Sequence, residues 1–480
     1  MLIFLLSFTL VVSSWSNVSC FSTSKKCTTY DTIIIGGGAS GLSCANTIPP
    51  NYKSLLLEAN PTIGGRLSSD FVEGFTLNRG FAVFIDEYPE SKEIFQYDGL
   101  KLAAFQPGAL IKTRNGLARV ADPIRQPTRL FDAIASPVGE VLDKLRLIPL
   151  LLHVKSKSIS ELFEETETDV YTCLREKYKF SDKMIHEFFQ PFFEGIFFCS
   201  LKEQSSRMFH FVFKMFSQGS ATLPTGGMQN VANQLYNGAT EKGVEVRLNC
   251  RVSRIYKQED GLFRVIMVNG EEVESKSVVC ATEGNVAKKI LSTCSELKAM
   301  STMEDHPERS VGCMYYKISG DPPINEAILI LNGESPLDGI GSINNVCFPS
   351  VVNPTYAPKG YHLCSVAFDD AMMAKYEGNE KELDQTIRQS LGEYFPEYKD
   401  DITSKWELLR TYRIHHAQPA QLNGPMPANA YGGRPCNMYR DISLPDGLFV
   451  AGDYTNNASL NGALESGKLA ANAVMKYIDK

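Results

Sequence analysis

Six residues near the start of the chain, Gly36-Gly37-Gly38-Ala39-Ser40-Gly41, have the types and spacing that cradle a phosphate. Gly36 permits a tight turn off a strand, and Gly38 lets the backbone approach a pyrophosphate. Gly41 lets a helix pack close on the strand. Ala39 and Ser40 then fall at the positive end of that helix, where free N–H groups favour an anion. An acid about 20 residues on is needed to hold ribose hydroxyls. Glu58, followed by Ala59, stands there. A lone GxGxxG says little, so the flanking elements decide. Residues 32–35 (Thr-Ile-Ile-Ile) read as a β-branched strand, 39–48 as a short helix, and 54–57 (Ser-Leu-Leu-Leu) as a second apolar strand ending at the acid. That is a βαβ unit built to hold a dinucleotide.

The chain has 480 residues, long enough for two or three domains. Its net charge of −7, with no dense basic cluster, argues against a nucleic-acid partner. The 12 cysteines include no CxxC or other metal-ligand spacing, and several lie in apolar runs. They read as small buried hydrophobes of a reducing compartment, and no metal site is expected. Residues 1–24 carry no charge, and 2–12 form an apolar run too short to span a bilayer. Residues 1–20 read as a signal peptide and 21–29, rich in hydroxyls and lysine, as a possible transit segment. Together they resemble the bipartite presequence of algae with secondary plastids, with plain secretion as the alternative. No later segment is long and apolar enough to span, so any membrane contact is expected to be monotopic. Oligomeric state is left open.

Two further motifs carry a family resemblance. Gly64-Gly65-Arg66 follows the ribose acid. Residues 447–453 form a strand ending in Gly452-Asp453, and a loop through Asn461 leads into a last helix. These ends resemble the FAD-binding signatures of the flavin amine oxidase superfamily, which includes amine oxidases, protoporphyrinogen oxidases and carotenoid desaturases. The resemblance implies an α/β fold: a Rossmann-like FAD-binding domain from residues 30–110, 221–300 and 440–480. An interleaved α+β substrate domain would come from 111–220 and 301–439. It implies that Gly65 and Arg66 meet the pyrophosphate of FAD, with Gly452 and Asp453 at the ribityl or pyrophosphate. Val252 would contact adenine through its backbone, and Asn461 would open the helix facing the flavin ring. Asn78-Arg79-Gly80-Phe81 matches a family pattern that sets Arg79 and Gly80 near the isoalloxazine.

The middle of the chain reads less sharply. Residues 141–154 form an apolar helical run, and phenylalanines crowd 188–216. They line either an apolar substrate chamber and entrance or the core of a helical subdomain. Residues 244–249 and 252–256 are expected to pair as strands, and 278–282 to close that sheet. A second sheet is expected over 300–430. His415 and His416, neighbours on a strand, face opposite ways, so both cannot serve one site. Ser459 stands where amine oxidases of this family carry a cage aromatic. Only one dinucleotide fingerprint is legible, since Gly339-Ile-Gly341 lacks a third glycine and an acid. The expectation is therefore hydride transfer from an apolar carotenoid-, isoprenoid- or tetrapyrrole-like substrate to FAD, with oxygen or a quinone as acceptor. No catalytic residue is named. The alternatives are an amine oxidase, a non-redox flavin isomerase or hydratase, and a flavin-free binding protein like the Rab GDP-dissociation inhibitors.

Overall fold

The computed structural model describes residues 28–480 apart from 123–124, 127, 129–134, 335–342 and 422–442. The signal-peptide reading, the transit reading up to residue 27 and the reading of Gly339–Gly341 therefore fall on residues outside those described. The chain opens with β1 (Thr29–Ile35), α1 (Ala39–Thr47) and β2 (Ser54–Leu57). The hairpin β3 (Ser69–Val72) and β4 (Phe75–Asn78) follows, then a second, β5 (Gly108–Thr113) and β6 (Gly116–Ala121). A helical stretch includes α2 (Val141–Ser156), α3 (Gln190–Phe197) and α4 (Ser206–Gln218). Next come α5 (Met228–Glu241), β7 (Glu245–Arg247), β8 (Val252–Lys257), β9 (Phe263–Met267) and β10 (Glu272–Cys280). The third stretch holds β11 (Glu308–Ser319), β12 (Leu329–Asn332), β13 (Ile343–Cys347), β14 (Tyr361–Phe368), α6 (Glu380–Tyr394) and β15 (Glu407–Pro419). β16 (Leu448–Val450) and α7 (Leu460–Ile478) end the chain.

The first sheet runs β7-β2-β1-β10-β9-β8, with β16 also on β10. β7, β2, β1, β10 and β16 are parallel; β1, β2 and the end of β10 are apolar and buried, as the middle of a sheet covered on both faces requires, while β7 is a polar edge strand. Their carboxyl ends share one edge, the place where open α/β sheets bind ligands. Two strand expectations are corrected here. Residues 245–247 do not pair with 252–257: Asn249 takes a left-handed φ of 57°, its N–H bonds to Asn60 O, and Cys250 N–H bonds to Glu58 O. The chain therefore crosses the end of β2 instead of reversing, which leaves β7 on β2 and β8 on β9. Nor does β10 close the sheet. It lies inside it, with β1 along one edge and β9 then β16 along the other.

The second sheet runs β15-β11-β14-β13-β12-β5-β6 and is antiparallel except between β12 and β5. It reaches back to Gly108, inside the stretch expected to belong wholly to the other domain. Leu383, Ile387 and Leu391 of α6 pack with Tyr316, Val366 and Phe368 over one face, since residues four apart share a helix side. α1 lies against α7, where Ser43 Oγ donates to Leu464 O at 2.7 Å. A Cβ at Gly467 would stand 2.2 Å from Ser40 O, so glycine sets this close helix contact.

Candidate functional site

A cavity of about 550 Å³ opens at the carboxyl edge of the first sheet, where β1 gives way to α1. Gly36 turns the chain with φ of 112°, and a Cβ there would lie 2.6 Å from Ala281 O. Gly41 packs on that turn, since its Cβ would meet Gly36 O at 1.9 Å. At Gly38 a Cβ would meet nothing within 4 Å, so the backbone is open there. Gly38 is also the N-cap of α1, with no capping side chain and no acid in the first turn. The α1 dipole is thus left to whatever fills the cavity.

Glu58 follows β2 and is buried. Its Oε2 accepts Gly37 N–H at 2.7 Å, and its Oε1 accepts both N–H groups of Asn60, each at 2.8 Å. A carboxylate oxygen has two lone pairs, so Oε2 keeps one for a hydroxyl donor. Across the cavity, Arg66 holds both oxygens of Asp453 at 2.8 Å and also donates to Ala417 O at 3.0 Å. Asp453 is brought there by β16, and Ser466 Oγ of α7 accepts the Gly452 N–H at 3.0 Å. Ser459 lines the cavity and caps α7, accepting Gly462 N–H at 3.1 Å.

Of the residues singled out in the sequence, Gly36, Gly38, Ala39, Ser40, Glu58, Ala59, Gly65, Arg66, Val252, Gly452 and Asp453 line this one cavity. Four do not. Gly41 packs behind it, and buried Asn461 accepts the Glu90 N–H at 3.0 Å. Arg79 points to solvent and pairs with Asp70 at 2.9 Å. Gly80 O accepts the Tyr315 hydroxyl at 3.2 Å. The hairpin register decides this: Ser69 faces Asn78, so Arg79 leaves the pair on its exposed side.

The sequence offered no hint of Glu283 and Glu308, which gather at the cavity mouth with exposed His416. His416 Nδ1 is 2.5 Å from Glu308 and 3.8 Å from Glu283. Burial, followed by the charge of Glu308, raises the Glu283 carboxyl. His415 is exposed too, and neither histidine lines the cavity. A second unforeseen group joins His153, Glu165 and His210, whose ligand atoms lie within 4.8 Å of one another. Lys157 and Lys177 also bind Glu165, so its charge is met by ammonium groups.

Beyond the first cavity lies a second of about 490 Å³, lined by Phe188, Phe192, Phe213 and Phe216. Phe189, Phe193, Phe197 and Phe209 are buried in the helical core. The phenylalanines thus divide between the buried core of the helices and the wall of an apolar cavity. Gln418 lines the first cavity and donates to the backbone of Ile196, which lines the second, at 2.9 Å. A third, polar cavity of about 320 Å³ shares Phe81, Gly195, Asn344 and Asn345 with the apolar chamber. In it, burial pushes the Glu194 carboxyl up to about 7, with Asp369 and Glu203 adding to the effect.

A family model described as flavin containing amine oxidoreductase matches residues 39–475. A 15-cis-phytoene desaturase of Capsicum annuum is 24% identical over 475 residues, covering 92% of this chain and 77% of the relative. Prolycopene isomerase 1 of an Oncidium hybrid cultivar is 26% identical over 257 residues, 49% of this chain and 43% of that one. Among solved structures, a putrescine oxidase bound to putrescine superposes with a TM-score of 0.66 at 14% identity, covering 94% of this chain and 99% of the other.

Proposed function

Because the chain belongs to the flavin containing amine oxidoreductase family, we propose that this flavin-dependent oxidoreductase uses FAD to oxidise an apolar, carotenoid-, isoprenoid- or tetrapyrrole-like substrate. The observation that carries the substrate class is the chamber walled by Phe188, Phe192, Phe213 and Phe216, one residue pair away from the cofactor cavity. The name of the Capsicum relative supports the same class.

The cavity fits a flavin dinucleotide. The open backbone at Gly38 and the uncapped α1 suit a pyrophosphate, and Glu58 suits the adenosine ribose. Arg66 and Asp453, now paired with each other, suit the pyrophosphate and the ribityl chain. FAD bound there would supply a hydride acceptor at N5 of its ring. The protein's part is to orient and to exclude water. The phenylalanine rings give an apolar molecule a dry surface, and α3, α4 and the turn of helix before α3 carry them against the buried core behind. Absence of a second dinucleotide fingerprint supports oxygen or a quinone as the acceptor. The leader reading, signal peptide then transit segment, supports a plastid, as do the chloroplastic relatives.

A second reading, oxidation of an amine, draws on the carboxyl groups of Glu194 and Asp369 in the cavity beside the chamber, where Glu203 is already paired with Arg309. One experiment separates the two: an anaerobic flavin spectrum of the purified protein, challenged with phytoene, protoporphyrinogen and primary or secondary amines. Bleaching by the polyene or porphyrinogen alone is expected. Bleaching by amines alone establishes the second reading. Product formation from a carotenoid without bleaching points to isomerisation, and a protein without flavin absorbance overturns all three.

A further inference from the structure

The apolar chamber and the polar cavity of about 320 Å³ have Phe81, Gly195, Asn344 and Asn345 in common, so the two spaces adjoin at a neck. Glycine makes the neck. A Cβ at Gly195 would stand 2.2 Å from Asn344 Oδ1, so only a residue without one lets α3 lie this close on β13. Phe192 of α3 faces the chamber, and Glu194 of the same helix faces the polar cavity. A wall that turns from apolar to polar within two residues suits a ligand that changes in the same way along its length.

The polar groups around the two spaces differ in what they still lack. On the chamber wall Arg125 holds Asp122 at 2.7 Å, and Lys144 donates to Ser136 O at 2.7 Å. In the polar cavity Arg309 holds Glu203 at 2.7 Å, and Asp369 accepts the Met372 N–H at 2.8 Å. Asn345, at the neck, is different. It is only 3% exposed, and its Nδ2 donates to Asn344 Oδ1 at 2.8 Å, yet its own Oδ1 has no hydrogen-bond partner. A buried acceptor without a donor is costly, and at the neck a ligand can supply the donor. The Glu194 carboxyl adds a second acceptor. It takes the Leu201 N–H at 3.4 Å, and burial keeps it uncharged up to about pH 7. In the same cavity Arg309 Nε lacks an acceptor. A hydroxyl group both donates and accepts, whereas an ammonium only donates and would meet the Arg309 charge. We propose that the ligand of the chamber carries a hydroxyl at one end, which passes the Gly195 neck and is recognised by Asn345 and Glu194 while the apolar body stays among the phenylalanines. The inference rests on the apolar substrate class proposed above and narrows it to apolar alcohols.

The test is calorimetric binding to the flavin-loaded full chain, without air and at slightly acid pH. Four probes share one skeleton: farnesol, farnesyl methyl ether, farnesylamine and the hydrocarbon farnesene. Farnesol is expected to bind about tenfold more tightly than the ether or the hydrocarbon, and the amine no better than the hydrocarbon. Asn345→Leu and Glu194→Leu should each bring farnesol down to the affinity of farnesene without weakening farnesene itself. Glu194→Gln, which keeps a polar group of the same shape, should retain the preference. Circular dichroism and flavin content verify each fold, and either leucine variant decides the matter if the other does not fold. Equal binding of alcohol and hydrocarbon overturns the proposal, and so does a preference that survives the leucine variants. Tightest binding of the amine also overturns it, in favour of amine oxidation. Farnesene binding without a preference for farnesol leaves the apolar substrate class standing and removes this inference alone. Binding of none of the four removes both.

Discussion

A methyl group at Gly36 would have to share space with the Ala281 carbonyl at a φ that L-residues avoid. Gly36→Ala is expected to destabilise the fold by about 1–3 kcal/mol and to purify with less flavin, read from thermal unfolding and absorbance. Arg66 grips Asp453 through both terminal nitrogens, a fork that an ammonium cannot copy. Arg66→Lys should keep the fold and weaken flavin retention about tenfold on dialysis, a loss of about 1.4 kcal/mol. Glu194 gives a pH signature. Its carboxyl is raised from 4.5 to about 7, chiefly by burial. Within that window the folded protein keeps a proton that the unfolded chain has released, so the fold loses stability as pH rises and levels off above it. Glu194→Gln should remove this slope and be the more stable protein above pH 7, by about 3 kcal/mol, in urea titrations on either side of the window. Chemistry set by neighbours in sequence was legible: the glycine run, Glu58 and Asp453 need only short-range context. Glu283, Glu308 and His416 meet from three distant segments, and nothing local marks them.

At the level of elements, the phenylalanines carry two jobs that spacing alone could not separate. Phe193 and Phe209 meet edge to face in the core at 4.8 Å between centroids, while Phe192 of the same helix faces the chamber. Phe193→Ala should cost about 3–5 kcal/mol in denaturant unfolding. Phe192→Ala should cost much less and shift preference towards bulkier substrates. The helices carrying this chamber are tied by Glu165, which reaches His153 of α2 at 2.8 Å and His210 of α4 at 3.1 Å. Burial alone would raise the Glu165 carboxyl, but bonds from His210 and Lys157 hold it well below the usual range. Removing it leaves buried imidazole and two ammonium groups without their anion, so Glu165→Ala should destabilise by about 3 kcal/mol, with flavin content unchanged in what remains folded. Strand identity was readable from apolar runs, whereas partnership was not. The step from β7 to β8 looks like a hairpin until the N–H groups of Asn249 and Cys250 are seen bonded to the segment beyond β2.

At the scale of the molecule, one cofactor cavity is assembled from stretches that are far apart in the chain, near Gly36, Val252 and Asp453. The two end motifs pointed to this closure from the sequence, although the reach of the second sheet back to Gly108 did not follow from them. Flavin should therefore stabilise the whole molecule in one transition, by about 2.7 kcal/mol at a hundredfold excess over its dissociation constant, measured as the difference in unfolding between stripped and reloaded protein. The contact of α1 with α7 has a bearing on biosynthesis. Ser43 and the Leu464 carbonyl that it bonds are 421 residues apart, so at about 5–20 residues per second the ribosome makes the first partner roughly 20–80 s before the second. Until then only the side of α1 that meets α5 can be covered, and the side that meets α7 must be kept from aggregating by other means. A chain halted before Leu460 would lack one of the surfaces on which α1 rests, so capture of the cofactor becomes a sign that α7 has been made.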